Sequence, residues 1–571
     1  MSRSAATRYD PEIEDLLGSP CSLGDSRAES PTVVRVPATV GGAQMGGGFE
    51  AADRFDSALA LWSPPMQSAD ADVLPDKEMG DARARDMLRN DAYVQGASNL
   101  HKDNIVGAQF LLNARPDSRA IFGKYDEVFE DEFQQEVELL FDLYAESPNN
   151  WIDASRTNTF TSLVRLAVGV HLAGGEVLAT SEWDRSAAGE FKTMVQMIDA
   201  DRLSTPDKYR NDPDVRAGIR FDRNGAPQTY YIRKEHQRDV APNWKMAEWA
   251  EVAIRKPWGR QQVIHIHEQI RPDQSRGFTE LLAGLKAMHI GHKLRDINLQ
   301  RLLTQSIYAA TITSELPSDT VFAQLGGAEL TSDQAQKMVT GYAEGYLGAI
   351  AQYTSGAKNL AIDGVKIPHL FPGTKLDLTS PGKDGFDVSG FEQSLLRYQA
   401  AAAGVSYEQL SRDYTNTNYS SARAAMSETW KFMQSRKKLI ADRFASAVYR
   451  LVLEEAINQN RLSTFPAAKA AQLYTNGALN LRFEALAKCD WIGASRGQID
   501  ELKETEAAVL RIEAGLSTAE DELARLGKDW RKVFRQLRRE RQLRDQLGLP
   551  NPEHKQTSNS ADQPQQQDQA A

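Results

Sequence analysis

Apolar and polar residues follow three different rhythms along this chain, and each change of rhythm marks a new part. The first 80 residues have no sustained apolar period; they hold Gly46-Gly47-Gly48, a Ser63-Pro64-Pro65 turn and scattered Asp. That predicts a flexible arm over 1–80, with Asp10–Leu17 and Phe55–Trp62 as short adhesive segments. From Asp81 the period is three to four. Leu88, Tyr93, Ala97, Leu100 and Ile105 recur at helical spacing over 81–106, as do Phe129, Phe133, Val137, Leu140 and Tyr144 over 125–146. Both stretches are predicted amphipathic helices, and Arg156–Leu172, apolar on most sides, a buried one. From Gly175 the period falls to two. Glu176–Trp183, Phe191–Ile198, Ile219–Phe221, Thr229–Ile232 and Gln262–His267 read as strands of a modest antiparallel sheet. Asn224-Gly225 is predicted to close a tight hairpin with positive φ at both positions.

Helical rhythm then returns at unusual length. Residues 277–312 carry Leu281, Leu285, Met288, Leu294 and Ile297 largely on one side, interrupted by Gly284 and Gly291. Residues 420–459 do the same with Met426, Trp430, Met433, Ile440, Phe444 and Val448, and Ser420 or Ser421 is the expected N-cap. At ~1.5 Å per residue each helix would be roughly 50–60 Å long, a strut more than an ordinary core helix. Between them lie a Gly-, Pro- and Tyr-rich insert, 313–388, and a short helix, Ser389–Leu410. One more helical stretch covers about 499–545, and Pro550–Ala571 is Gln-rich low complexity, predicted to be disordered. The fold class is α+β, mainly helical.

Composition narrows the function. With 571 residues, 41% hydrophobic and 25% charged, the chain is neither wholly disordered, collagen-like nor a disulfide scaffold, and has length for three or four lobes. No apolar run approaches the roughly 20 residues a bilayer requires. The start, Met1 to Arg8, lacks an apolar segment, so no secretory signal is expected and a cytoplasmic beginning is. Cys21 and Cys489 fit no metal spacing and suit a reducing compartment. A net charge of −11 argues against a protein that grips nucleic acid tightly, and leaves room for one that nucleic acid merely passes.

Catalytic signals are sparse. His265 and His267 share a strand face, and His289 and His292 sit three apart on the first long helix, together half a case for a metal-dependent hydrolase. No carboxylate or cysteine falls at a supporting spacing, so structural histidines are expected and no cofactor or metal is predicted. Phosphate-binding, dinucleotide-binding and nucleophile-elbow motifs are all missing. Positive information lies elsewhere. A polar loop rich in Tyr, Asn and Thr, containing Asp413, Tyr414, Asn416, Asn418 and Tyr419, separates the short helix from the second long one. Near the C-terminus, nine bases from Arg525 to Arg544, among them Arg531, Arg535 and Arg538, face only Asp529, Glu540 and Asp545. That run is either a solvated helix face or a surface that touches DNA, and Arg436-Lys437-Lys438 poses the same choice.

The loop region resembles the portal proteins of lambda-type tailed bacteriophages. Their Gly-Val-Ser-Tyr-x-x-Leu-Ser-x-Asp-Tyr motif is matched at Gly404–Tyr414, and their Asn-Tyr-Ser-Ser-Ala-Arg at Asn418–Arg423. Asp86–Tyr93 with Asp103–Gly107, Val263–Ile266 with Arg271–Gly277, and Trp491–Gly493 with Asp500, Lys503, Glu504 and Gly515–Thr518 agree too, although the family's Pro after Trp-x-Gly is Ala494 here. The resemblance covers about 60–545. It implies a non-enzymatic head–tail connector, a ring of twelve copies at one vertex of the virion head, assembled in the host cytoplasm. Double-stranded DNA would be packaged and ejected through it, held weakly and without sequence preference. Its implied partners are further copies of itself, the terminase large subunit, a head-completion protein, and the capsid and scaffold proteins. In the family's order of parts, 81–276 is the first part of the wing and 277–312 a stem helix. The clip is 313–388, a second stem helix 389–411 and the tunnel loop 412–420. The rest of the wing is 421–498, the crown 499–545, and 546–571 a tail. Twelve copies at −11 would carry roughly −130, a wall that repels passing phosphates. A head–tail adaptor ring shares this logic, but adaptors are shorter chains.

Overall fold

The computed structural model describes residues 61–184, 190–239, 244–307, 388–415, 417–497 and 500–550, with isolated positions inside 308–387. The expectations for Asp10–Leu17, for most of Phe55–Trp62, for most of the 313–388 insert and for the last residues lie outside these.

Helix α1, Ala69–Asn90, begins inside the stretch read as a loose arm, with the Ser68 side chain accepting the Ala71 N–H. The apolar rhythm missed its first turns because they bury charge: Asp70, Lys77 and Asp81 are all buried. The single helix expected over 81–106 is two. Asp91 has extended dihedrals, ends α1 and caps α2, Ala92–Ile105, by accepting from the Tyr93 and Val94 N–H groups. Strand β1, Leu111–Ala114, was not anticipated; it pairs antiparallel with β13, Cys489–Ile492, joining distant parts of the chain. A short helix α3, Ser118–Phe122, leads to α4, Glu127–Ala145, as expected. The buried helix α5 runs Phe160–Gly174, starting later than predicted because Asp153 accepts from Ser155, Thr157 and Asn158 and holds that stretch in a turn.

Two small sheets replace the one expected. β2, Glu176–Trp183, is the centre of an antiparallel sheet between β3, Thr193–Ile198, and β8, Val263–His267. The second sheet is an antiparallel ladder of β4, Val215–Arg216, β5, Ile219–Phe221, β6, Pro227–Arg233, and β7, Trp249–Ala253. The β5–β6 hairpin departs from the two-residue turn. Phe221 pairs with Pro227, Asp222 accepts from the Asn224 and Ala226 N–H groups, and only Gly225 has positive φ.

Helix α6, Leu282–Ile307, packs on α7, Val388–Ala402, through its two glycines. A Cβ on Gly284 would lie 2.5 Å from the Ala402 Cβ, and one on Gly291 2.8 Å from the Leu395 Cδ2. The glycines that seemed to interrupt the stripe are what lets the helices touch. A further pair of short strands, β9, Leu360–Ile362, and β10, Val365–Ile367, lies in the insert. The helix expected over Ser389–Leu410 is broken into α7 and α8, Tyr407–Ser411. The second long helix is real and continuous over 40 residues: α9, Tyr419–Arg436, a π turn at Lys437–Ala441, and α10, Asp442–Asn458. A small β11–β12 hairpin, Tyr474–Thr475 and Ala478–Leu479, leads to α11, Leu481–Leu486. Beyond β13 the predicted helical stretch is three helices, α12, Glu501–Glu513, α13, Ala519–Arg525, and α14, Trp530–Leu547, separated at the positive-φ glycines Gly515 and Gly527. The main core joins α4, α5 and α10, and Trp491 from β13 stacks on Phe110 at 5.4 Å and lies 5.3 Å from Phe160.

Candidate nucleic-acid interface

The loop singled out for channel contacts is reached through two helix ends with little freedom. At the end of α7 the Val405 N–H donates to the Ala400 carbonyl (3.0 Å) and the Gly404 N–H to that of Ala401 (3.2 Å), crossing bonds that require a left-handed residue between them. Gly404 supplies it at φ +65°, and a Cβ there would sit 2.4 Å from the Phe432 ring. Buried His101 has its Nε2 2.8 Å from the Ala403 carbonyl, and burial pushes its pKa down. Helix α8 opens with a reciprocal cap between Ser406 and Gln409, each backbone N–H donating to the other side chain. Arg412, at φ 57°, then turns the chain out.

Within the loop, Asp413 accepts from the Thr415 hydroxyl and N–H, which hold its carboxylate below the usual range. Tyr414 is 49% exposed. Asn418 has a different task from the one expected. Its Oδ1 accepts the Ser421 N–H at 2.8 Å, so Asn418, and neither Ser420 nor Ser421, caps α9. Tyr419 opens the helix backbone, while its side chain and Asn416 lie outside the described residues. One turn further on, exposed Arg423 and Arg496 border an open hollow of about 500 Å³ with Ser420 and Ser427. The sequence reading overlooked these two bases, although Ser420, Arg423 and Ser427 recur at one-turn spacing on the helix.

A buried ionic knot lies where the small sheet meets the root of α6. Glu176, fully buried, receives both Nε and Nη2 of Arg276, the latter at 2.5 Å, with Lys77 Nζ at 3.1 Å and His265 Nε2 at 3.1 Å. Arg276 and Lys77 outweigh desolvation and keep the carboxylate well below its ordinary range. The Arg276 guanidinium also donates to the carbonyls of Ala200, Leu203 and Ala217, so every nitrogen has a partner. Backbones touch here as well: a Cβ on Gly277 would lie 2.1 Å from the Gly175 carbonyl oxygen.

The histidines do not form a metal centre. His265 is held on Glu176, and His267 lies 3.4 Å from the Gln274 carbonyl, with burial pushing its pKa down to about 4. His289 is exposed, and His292 faces Asp91 at 3.5 Å. Among the described residues, Asp199, Asp201 and His236 are the three that bring metal-capable atoms together, and Asp201 is already gripped by both terminal nitrogens of Arg85 at 2.6 Å. The basic runs separate too. Arg436 pairs with Glu268 and Glu280, and Lys437 with Asp442 and the Trp491 carbonyl, so two of these three bases act within the fold. On α14, Arg531 is paired with Asp131 and Arg535 donates to Gln135 Oε1 at 2.7 Å, both on α4, while Arg538 is exposed.

Long helices locked at their glycines, buried charge at the root of α6 and a polar loop before α9 give this chain a fixed frame with one exposed connection. The profile described as "Phage portal protein, lambda family" matches residues 55–437. The chain is 37% identical over 501 residues to "Portal protein B" of Escherichia phage lambda, covering 87% of this chain and 90% of that protein. It is also 37% identical over 498 residues to "Portal protein" of Escherichia phage N15, with the same two coverages. A solved structure, "Neck of native GTA particle computed with C12 symmetry", aligns over 84% of this chain and 100% of that one at 12% identity and a TM-score of 0.37, too distant to carry an argument. This chain belongs to the lambda family of phage portal proteins. It is a virion component of a tailed-phage head, and neither its geometry nor its relatives support the metal-dependent hydrolase.

Proposed function

We propose that copies of this chain close into a ring, twelve in number, through which double-stranded DNA enters and leaves the head. The loop 412–418 faces the channel, and residues 313–388 form the outer surface on which terminase and then a head-completion protein dock. The observation that carries the reading is the loop itself. Gly404 and the caps at Ser406 and Asn418 fix both its ends, while among the described residues the Asp413 carboxylate is bonded to Thr415 within the loop and Tyr414 is 49% exposed. Tyr414 can donate to a phosphate oxygen without the strong Coulomb attraction of a base, which suits cargo that must slide. Arg423, one turn into α9, and Arg496, across the hollow from it, add positive charge near the loop on a chain whose total is −11. The balance favours weak, sequence-independent contact, weaker still in salt.

The test replaces residues 413–416 by a Gly-Ser linker, leaving the Asn418 cap. Rings should still form in negative-stain images while packaged or retained DNA falls. Full-length packaging by that variant would refute the channel role of the loop, and an absence of annular particles from the unaltered protein would refute the ring.

A further inference from the structure

Two helix faces of this chain are opposite in charge, and the fold keeps them from meeting each other. Helix α4 carries seven carboxylates and no basic residue. Along its open side Val128, Glu132 and Leu139 share one face, with Val128 67% and Leu139 62% exposed; Gln135, at the margin of that face, is already held by Arg535 of the same chain. Helix α14 carries seven basic residues against two acidic ones. Its four-three-four stripe is Trp530, Phe534, Leu537 and Arg541, with Phe534 45% and Leu537 53% exposed. Such spacing is that of paired helices, in which apolar positions meet and flanking charges select the partner. Within one chain α14 already lies on α4, but through Arg531, Lys532 and Arg535. At ~100° per residue, the stripe of Phe534, Leu537 and Arg541 points well away from that contact.

We propose that the outer stripe of α14 docks on the open face of α4 of a neighbouring copy, making this helix pair a cross-brace between adjacent subunits. The proposal rests on the ring reading and assigns one of its contacts. Charge complementarity selects the occupant: a basic–apolar stripe fits an acidic–apolar one, whereas a stripe meeting its own copy would oppose bases to bases. The two faces are different surfaces of one chain, so their contact is heterologous, the kind that propagates head to tail and closes as a ring instead of stopping at a dimer. Leu537 and Leu139 would be covered, and Glu132 and Arg541 would be brought together at the rim. The bases of α14 would then serve assembly and not DNA.

The test uses the full chain with Cys21→Ser and Cys489→Ser, adding Glu132→Cys and Arg541→Cys singly and together. Under copper–phenanthroline oxidation the double variant should give a ladder of covalent oligomers, and the single variants none beyond a dimer. A second arm reverses charge. Glu132→Arg should raise the concentration needed for half-assembly roughly tenfold, and adding Arg541→Glu should restore it. Rings in negative stain with no ladder and no rescue would overturn the cross-brace while leaving the ring standing. No rings from the parent chain would overturn the ring reading itself. Unchanged assembly of Arg541→Glu, with a salt-dependent loss of DNA retention, would overturn the proposal in favour of a DNA-facing helix.

Discussion

The root of α6 and the start of α9 handle polar groups in opposite ways. At the root, Glu176, Arg276, Lys77 and His265 are buried together, and each charge is answered by another charge or a carbonyl. At the start of α9, Asp413 and Tyr414 are satisfied locally or left to solvent, and only the ends of the loop are fixed. The first region tolerates no change because a buried charge without its partner is expensive; the second tolerates much because little depends on it for folding. One chain thus keeps a frame that holds its shape apart from a loop that is free to change.

The contrast is most easily broken at the knot. Arg276→Ala leaves Glu176 fully buried with reduced compensation and should destabilise the chain by about 3–5 kcal/mol, read as a lowered denaturation midpoint. A midpoint shift as small as that of a surface variant would show the knot to be dispensable. Next comes Gly404→Ala, which forces a Cβ into the Phe432 ring at positive φ and should cost about 2–4 kcal/mol.

Glu138, on α4, lies between the two extremes. Burial pushes its carboxyl up from the ordinary 4.5 to about 7, partly offset by the hydrogen bonds from Gln134 and Ala114. The folded chain therefore keeps a proton that the unfolded chain has released, and this group's stabilisation is full below about 4.5 and lost as pH rises through 7. Glu138→Gln should shrink the drop in melting temperature between pH 5 and pH 8. Parallel pH profiles for the two proteins would show the carboxyl to be ionised throughout. A smaller effect is expected from Asn418→Ala, about 1 kcal/mol from the lost cap, seen as faster amide exchange over 419–422. Smallest of all for stability is Tyr414→Ala, which should stay within about 0.5 kcal/mol of the parent while lowering DNA retention. A Tyr414→Ala protein that melts like Gly404→Ala would erase the distinction between frame and surface.

Legibility from the sequence followed the same division. Strand β2 could be read residue by residue, because Gly175 ends a helix and an apolar run follows. The start of α1 could not, since Asp70, Lys77 and Asp81 are buried as charges and look like surface. The strands β1 and β13 pair with each other across most of the chain, where no local hairpin marks either of them. The loop was visible in its Tyr and Asn content, but its cap was misread by a few positions because Asn418, Ser420 and Ser421 are all good capping residues and only the hydrogen bond decides. Arg531 and Arg535 looked free because their partners on α4 lie 400 residues earlier. Periodicity reports faces; it does not report what covers them.

The π turn at Lys437–Ala441 has a practical result for anyone placing probes near the loop 412–418. It inserts one residue into an otherwise regular helix, so side chains on either side are offset by about a third of a revolution from an uninterrupted wheel. A fluorophore or spin label positioned by counting back from the well-packed Phe444 or Val448 would come out on the wrong azimuth at Arg423. The numbering of faces has to restart at Arg436, working toward the loop from there.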